Sequence, residues 1–581
     1  MRAVFLISLT LLLVIPQGMA GNSLFARDFA LYHVSPMKYE VLDGSRLPAN
    51  PRLLKKLSIR VSCDEYEPLS FLIDSARTYK NVIIKWSDFI GPGVIPATEL
   101  DAHIVKVWWV AHEKARMGSS KYKNNPSRIW KPLLIQELLV HDDKLIRVNR
   151  DKVLNEVRVR DRNSGRIWYV DVCSKNSRLP SNIEIFDSKR IRPFDITSGV
   201  KKQIWLTIHV PQACKPGKYR SQIVLKVNNL KLAAIPIEIE VLPFKLDLPV
   251  LHFGVYYKSH FVNTTNLSPG RFEKSMKQYF LELKDMKNHG FLYPSCHINI
   301  QSRPHLLDKI LTIYEKVGLP TDRFIYSRQK FVYKENPIDI AEKLKKWNVI
   351  LKKHNPNGII YCYGRDEATG SRITRQLANW DVIRNNGGKV WASIAVGQFQ
   401  YTAGKLDVAV LHGGTQGAAS LSSGFDENHK REIKKYHDSG ARVWSYAHPF
   451  AGQENAEIYR RNYGLALWKA GYDGVMNFIY QFTAPEVLFN DFMHGNYRDL
   501  SYTIPITDGL ISTVGWEGMR EAVDDVRYLS TLLNKMDALK KSGGNIHSLQ
   551  LWITGLDPFN GDLDKIRQKI IDKILSVEEK K

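Results

Sequence analysis

Two adjacent carboxylates close the stretch "GIIYCYGRDEATG", residues 358–370: Asp366 and Glu367, with Arg365 before them. Paired carboxyl groups are the usual means of acid–base work on a glycosidic bond. Placed on opposite sides of the bond they stand ~5 Å apart when one is a nucleophile and up to ~9 Å apart when one activates water. Neighbours on one strand end cannot easily take those two stations, because successive side chains on a strand diverge. They can serve one side of a sugar that supplies its own nucleophile. A 2-acetamido group attacks the anomeric carbon while one carboxylate orients its N–H and stabilises the oxazolinium, and the other protonates the leaving oxygen. In that scheme Asp366 orients and Glu367 is the general acid/base, with the like charge beside it pushing one pKa up. The same residues also fit a helix N-terminus before "ATGSRITRQLANW", with Arg365 as ion-pair partner. On the residues alone both readings stand.

Which reading applies depends on the element that carries the pair. From residue 248 to about 500, apolar runs starting near 251, 291, 323, 358, 389, 406, 442 and 474 alternate with helical patterns. One such pattern is "EKSMKQYFLELKDMKNHG", with Met276, Phe280, Leu283 and Met286 at helical spacing before a glycine. About eight such units in roughly 235 residues is the size and count of a (β/α)8 barrel. An open doubly wound sheet would carry a Gly-rich phosphate loop after an early strand, and none is present. In a barrel the strand C-termini carry the site. Tyr256, Tyr257 and Lys258 follow the first run, and His297 and Asn299 the second. Tyr363 and Arg365 flank the pair at the fourth, Trp444, Tyr446 and His448 end the seventh, and Tyr480 and Gln481 the eighth. Rings that stack on sugar faces and side chains that bond hydroxyls make this rim fit a polyhydroxylated ligand. The sixth to eighth runs end without a carboxylate, so the pair has no opposing acid there.

The remaining sequence frames this region. Residues 21–247 show short β-rich runs with period-two alternation, as in "IPIEIEVLPF", where Ile237, Ile239 and Val241 share one face and Glu238 and Glu240 the other. The runs "QIWLTIHV" and "RSQIVLKV" around "PQACKPGKY" predict a hairpin, and the whole an antiparallel β-sandwich. Residues 113–131 form a basic stretch with the composition of a long loop. Residues 501–581 read as a helical segment packed on the barrel, its charged residues Glu517, Arg520, Glu521, Asp524 and Asp525 expected on a solvated face.

The first twenty residues have a basic start, an apolar run and a small-residue cut after Ala20, the pattern of a secretory leader, so a secreted or periplasmic protein is expected. No later run approaches the ~20 apolar residues that span a bilayer. Five cysteines, odd in number and scattered, do not form a disulfide framework, with one or two bridges at most, and no spacing marks a metal or cofactor site. Lys plus Arg exceed Asp plus Glu to give a net charge of +24 among 581 residues. In an exported protein this points away from nucleic acid and towards acidic glycans or surfaces, or simply towards solubility.

With "YGRDEATG", "WSYAH", "YRRNYGLALWKAGYDGVMNFIYQF" and "TDGLISTVGWEGMREAVDDVRYL" in place, the sequence resembles the glycoside hydrolase family 123 superfamily over nearly the whole mature chain. "CDEYEPLSF", "LLIQELLVHDD" and "QIWLTIHVPQACKPGKY" resemble that family's β-sandwich. The resemblance implies a β-N-acetylgalactosaminidase-like enzyme with an Asp–Glu pair, matched here by Asp366 and Glu367, and substrate-assisted retention. Tyr446, Trp444 and Tyr363 resemble residues lining the sugar pocket. Ala368–Thr369 follows the pair where characterised members tend to have proline, and Gly515 stands where relatives often carry arginine. These departures place the chain among divergent relatives. A glycan-binding barrel without turnover, or a hydrolase of sugars lacking the N-acetyl group, are the alternatives.

Overall fold

The computed structural model describes residues 28–38, 40, 42–111, 132–261, 273–412, 427–452, 454–482, 484–493 and 499–578. The leader and the basic stretch 113–131 lie outside the described residues.

The N-terminal half is built from two seven-stranded sheets. One runs in the order Phe29–His33, Glu65–Ser75, Lys202–Val210, Leu100–Val110, Leu133–Val140, Gly509–Thr513 and Thr503–Ile506. The other is centred on Tyr79–Trp86, Gly217–Val227, Leu230–Lys245 and Leu57–Cys63. Their inner faces share one core that includes Phe71, Ile204 and Leu206 from the first and Ile223, Ile237 and Ile239 from the second. The predicted hairpin is not formed. Lys202–Val210 pairs with Glu65–Ser75 and Leu100–Val110, whereas Gly217–Val227 pairs with Leu230–Lys245, so the intervening turn arches from one sheet to the other. Alternation shows which face is buried but not which strand is the neighbour. The hairpin that does form joins Gly217–Val227 to Leu230–Lys245 through Asn228, at φ 51°, a left-handed position that asparagine tolerates. Residues 503–513, placed by sequence in the helical segment, are a second hairpin, and it extends the first sheet at Leu133–Val140.

The second half carries a seven-stranded parallel sheet, in the order His252–Val255, Gly474–Asn477, Arg442–Tyr446, Val408–His412, Lys389–Ala395, Ile359–Tyr363 and Arg323–Tyr326. Its strands are near-continuous apolar runs, as expected where both faces are covered. Seven strands stand where eight were expected. The stretch 291–298 makes only one isolated bridge, Cys296 with Tyr326. Pro294, which has no N–H, interrupts it, and the remaining backbone donates to both flanking strands: Ser295 N to Val255 O at 3.0 Å and Cys296 N to Ile325 O at 2.7 Å.

The helix Met276–Asn288 buries Tyr279, Leu283 and Met286 together with Gln278 and Glu282, while Met276 is exposed. The face is turned from the one its apolar spacing predicts because Glu282 is bonded inside the protein, by Tyr257 Oη at 2.5 Å and Lys274 Nζ at 2.9 Å.

Helix Val514–Lys541 also departs from expectation. Glu517, Arg520, Glu521, Asp524 and Asp525 are buried, not solvated. Helix Ala456–Tyr463 crosses it so closely that a Cβ on Gly518 would lie 2.3 Å from the Ala456 carbonyl oxygen. All five cysteines are free thiols. Among the described residues no helix is long and apolar enough to cross a membrane.

Candidate active site

Strand Ile359–Tyr363 ends at Gly364, whose N–H still bonds Trp391 O at 2.8 Å. The next two amides are held by side chains: Arg365 N donates to Gln376 Oε1 at 2.7 Å, and Asp366 N to Gln329 Oε1 at 3.0 Å. At Glu367 the backbone turns into the left-handed region, φ 46°, and Ala368 returns to bridge Ile394 in the next strand. A non-glycine residue in this region is strained and is held there by its surroundings. The turn breaks the strict alternation of the strand, so the two carboxylates are not forced to opposite faces. Neither caps a helix. The following helix, Ser371–Thr374, has Gly370 at its N-cap without a side-chain bond. Arg365 does not pair with the acids; its guanidinium lies 5.3 Å over the Tyr333 ring.

The partners of the two acids are phenols. Tyr363 Oη donates to Asp366 Oδ1 at 2.5 Å, and Tyr256 Oη donates to Tyr363 Oη at 2.8 Å. Burial holds both phenols far above their ordinary pKa, so they remain proton donors at neutral pH. The Tyr446 hydroxyl lies near enough to Glu367 to favour its charged form. Glu367 is exposed as a whole, but its carboxyl end is desolvated enough to be pushed upward, and the Asp366 charge adds to the shift. Among the described residues no Lys, Arg or His side chain forms an ion pair with either acid. The pair is thus a partly protected acid next to a phenol-bonded carboxylate, and it can supply a proton and a fixed negative charge on one side of a ligand.

A cavity of about 400 Å³ opens beside Asp366. Tyr256, Tyr363, Tyr446 and Phe478 give it an aromatic side, and Ser327–Lys330, after strand Arg323–Tyr326, complete the lining next to Asp366. Of the sequence-predicted site residues, the cavity brings together Tyr363, Asp366, Tyr446 and His297, with Glu367 beside Asp366 and Arg365 outside the lining. Burial, with the nearby Arg328, His260 and Lys258, lowers His297 to about 3, so the ring is neutral.

Four predicted residues do not reach the cavity. Trp444 lies beneath it, stacked on His252 with centroids 4.0 Å apart. His448 is buried against Ser445 Oγ, and burial lowers its pKa to about 4. Tyr480 donates to Asp285 at 2.8 Å. Gln481 accepts from Lys274 at 2.6 Å, inside the Glu282 network. Trp444 ends below the rim within its strand, whereas the other three lie past their strands where the chain has already turned into the core.

A family 123 glycoside hydrolase from Clostridium perfringens superposes with a TM-score of 0.60 at 12% identity, covering 95% of this chain and 100% of that one. The chain has that protein's fold. A family 39 glycoside hydrolase from the gut symbiont Bacteroides cellulosilyticus WH2 matches with a TM-score of 0.32 at 10% identity, over 63% of this chain and 76% of that one. No protein-family model matches the sequence, and neither does any curated protein sequence.

Several lining residues were not singled out as site residues from sequence: His260, Arg328, Gln329, Lys330, Tyr333 and Phe478. The loop after "RFIY" carries four of the lining residues in a row, Ser327 to Lys330, and the rule that barrel sites lie at strand ends would have directed attention to it. Among the described residues one group is compact enough for a metal, Asp101, His103 and His141 in the sandwich. There His141 is already held by carboxylates, with Nε2 2.9 Å from Asp101 and Nδ1 3.4 Å from Asp187. Burial opposes its charge, but these two bonds raise its pKa to about 9, which makes it an imidazolium in an ion pair.

Proposed function

We propose that the chain is an exported glycoside hydrolase that cleaves N-acetylhexosamine, β-N-acetylgalactosamine in the first place, from glycans by substrate-assisted retention. Residues 248–500 act as the (β/α)8-type catalytic domain, the sandwich of 21–247 and the helices of 501–581 support it, and the leader is removed after Ala20. No metal or cofactor takes part in the scheme.

One observation carries the reading. Among the described residues the only acid lining the cavity, Asp366, is adjoined by a second, Glu367, whose pKa is raised and which sits on the same strand end. An acid lining the cavity from another strand end would have supported a protein nucleophile; among the described residues there is none. In the proposed sequence Asp366, fixed by Tyr363, accepts the N–H of the 2-acetamido group and turns its carbonyl oxygen towards C1. That oxygen forms the new bond to C1 as the glycosidic bond breaks, and Glu367 delivers its proton to the leaving oxygen. The Glu367 carboxylate then takes a proton from water, which attacks C1 and opens the oxazoline with net retention. Tyr446 steadies Glu367 in both steps, and the aromatic side of the cavity supplies a face for the sugar ring.

The shared fold supports the class of reaction, since the Clostridium perfringens protein is described as acting in glycolipid glycan hydrolysis. Glu367→Gln and Asp366→Asn should each lower kcat on an aryl N-acetyl-β-galactosaminide by ~10²–10⁴-fold. Wild-type activity in either variant would remove that residue from the scheme.

A further inference from the structure

Around His297 the cavity that holds Asp366 has a cationic wall. Lys258 and His260 follow the first strand, and Arg328 and Lys330 lie on the loop after the third. Lys258, Arg328 and Lys330 therefore set three cations against one lining carboxylate. They are not there to neutralise the catalytic pair, because among the described residues neither Asp366 nor Glu367 has a cation within ion-pair distance. The guanidinium of Arg328 makes no hydrogen bond or ion pair with any described residue, although the residue is only partly exposed. Like charges gathered on one wall repel one another, and the low-dielectric aromatic side strengthens that repulsion. A neutral sugar needs hydroxyl partners and would leave the Arg328 guanidinium without an anionic partner among the described residues. A bound oxyanion would supply one, and a guanidinium matches a sulfate or carboxylate through two parallel N–H donors.

We propose that Arg328, with Lys258 and Lys330, forms a subsite for an anionic substituent, a sulfate ester or a uronate carboxylate, on the glycan bound at Asp366 and Glu367. The inference rests on the glycosidase reading and names the substrate class. The neutral His297 beside this wall, with Nδ1 3.3 Å from Ser327 Oγ, adds an uncharged hydrogen-bonding group that does not increase the local charge.

Binding and turnover separate the two claims. Titration calorimetry on the full-length protein would compare N-acetylgalactosamine, its 6-sulfate and 4-sulfate, and a glucuronate-containing disaccharide. At least one anionic ligand should bind ~10-fold or more tightly than the neutral sugar, equivalent to one bidentate charge-assisted contact of about 1.4 kcal/mol. The preference should shrink as salt is raised and fall to near unity in Arg328→Gln and Lys330→Gln. Preference for the sulfated sugars alone identifies a sulfate ester, and preference for the disaccharide alone identifies a uronate. Equal affinity for neutral and anionic ligands in the wild type overturns the proposal. If anionic ligands are preferred but no aryl glycoside of the panel is cleaved, the subsite stands and the hydrolase reading falls.

Discussion

Carboxylates occur in two very different settings in this protein. Around helix Val514–Lys541, Asp525 is gripped by Arg460 Nε at 2.8 Å and Arg567 Nε at 2.5 Å, and Arg567 also reaches Glu521 at 2.7 Å and Glu67 at 3.1 Å. At the end of strand Ile359–Tyr363, Asp366 is bonded by the Tyr363 phenol, Glu367 neighbours the Tyr446 phenol, and no described cation pairs with either acid. The first cluster joins the sandwich to the C-terminal helices and is buried. The second faces a cavity. Guanidinium partners fix a carboxylate in place and favour its charged form against burial, which suits a joint between elements but works against a general acid. Phenols orient a carboxylate without removing its capacity to change charge.

Breaking the cationic side of the joint should give the largest effect on stability. Arg567→Met removes the guanidinium shared by Asp525, Glu521 and Glu67 and leaves these buried carboxyls short of a partner, which should cost about 3–5 kcal/mol in denaturant unfolding. A loss below 1 kcal/mol would mean that the network is not a joint.

In the buried cluster, Glu65 makes stability depend on pH. Burial, and then the Asp524 charge, raise its pKa from 4.5 to about 8, with Arg567 only partly opposing. A carboxyl raised in the folded state contributes stability that is complete below its unfolded pKa and is lost as pH climbs towards the folded value. Glu65→Gln should therefore gain stability relative to wild type progressively between about pH 4.5 and 8, by up to a few kcal/mol at the alkaline end. Parallel Tm-versus-pH curves for the two proteins would show that Glu65 is not raised.

At the site the expected changes are kinetic and smaller. Tyr446→Phe should lower kcat/KM on an aryl N-acetyl-β-galactosaminide ~10-fold, equivalent to about 1.4 kcal/mol, with Tm little changed. The Tyr446 hydroxyl favours the charged form of Glu367, so its loss should also move the alkaline limb of the pH–rate profile upward. An unmoved limb would show that the hydroxyl does not act on the titrating acid.

The parallel sheet and the pair at its edge were legible because unbroken apolar runs such as "GIIYCY" mark strands covered on both faces, and a charged end marks where such a strand leaves the sheet. The second run was misread because its apolar content hid the missing N–H of Pro294. Strands Lys202–Val210 and Gly217–Val227 have the pattern of a hairpin, yet their partners are distant in sequence, and alternation has no term for that. The charges of helix Val514–Lys541 looked solvated for a similar reason. Their counterions Arg460, Arg567 and the sandwich acids Glu65 and Glu67 lie far along the chain. Of the candidate pocket residues, Tyr363 and Asp366 at the end of strand Ile359–Tyr363, Tyr446 at the tip of Arg442–Tyr446, and His297 reach the cavity. Trp444, His448, Tyr480 and Gln481 were assigned by nearness to a strand end, and burial draws them away. The cationic wall escaped notice because loop residues carry no periodicity to flag them.

The central claim is that the substrate supplies the nucleophile and the carboxylate pair serves it. Aryl β-galactosaminides bearing N-acetyl, N-fluoroacetyl, N-difluoroacetyl and N-trifluoroacetyl groups test this directly, because each fluorine weakens the amide carbonyl oxygen as a nucleophile while scarcely altering its size. The rate constant for cleavage should fall steeply and monotonically along the series. A flat series with undiminished turnover would place the nucleophile elsewhere and contradict the account.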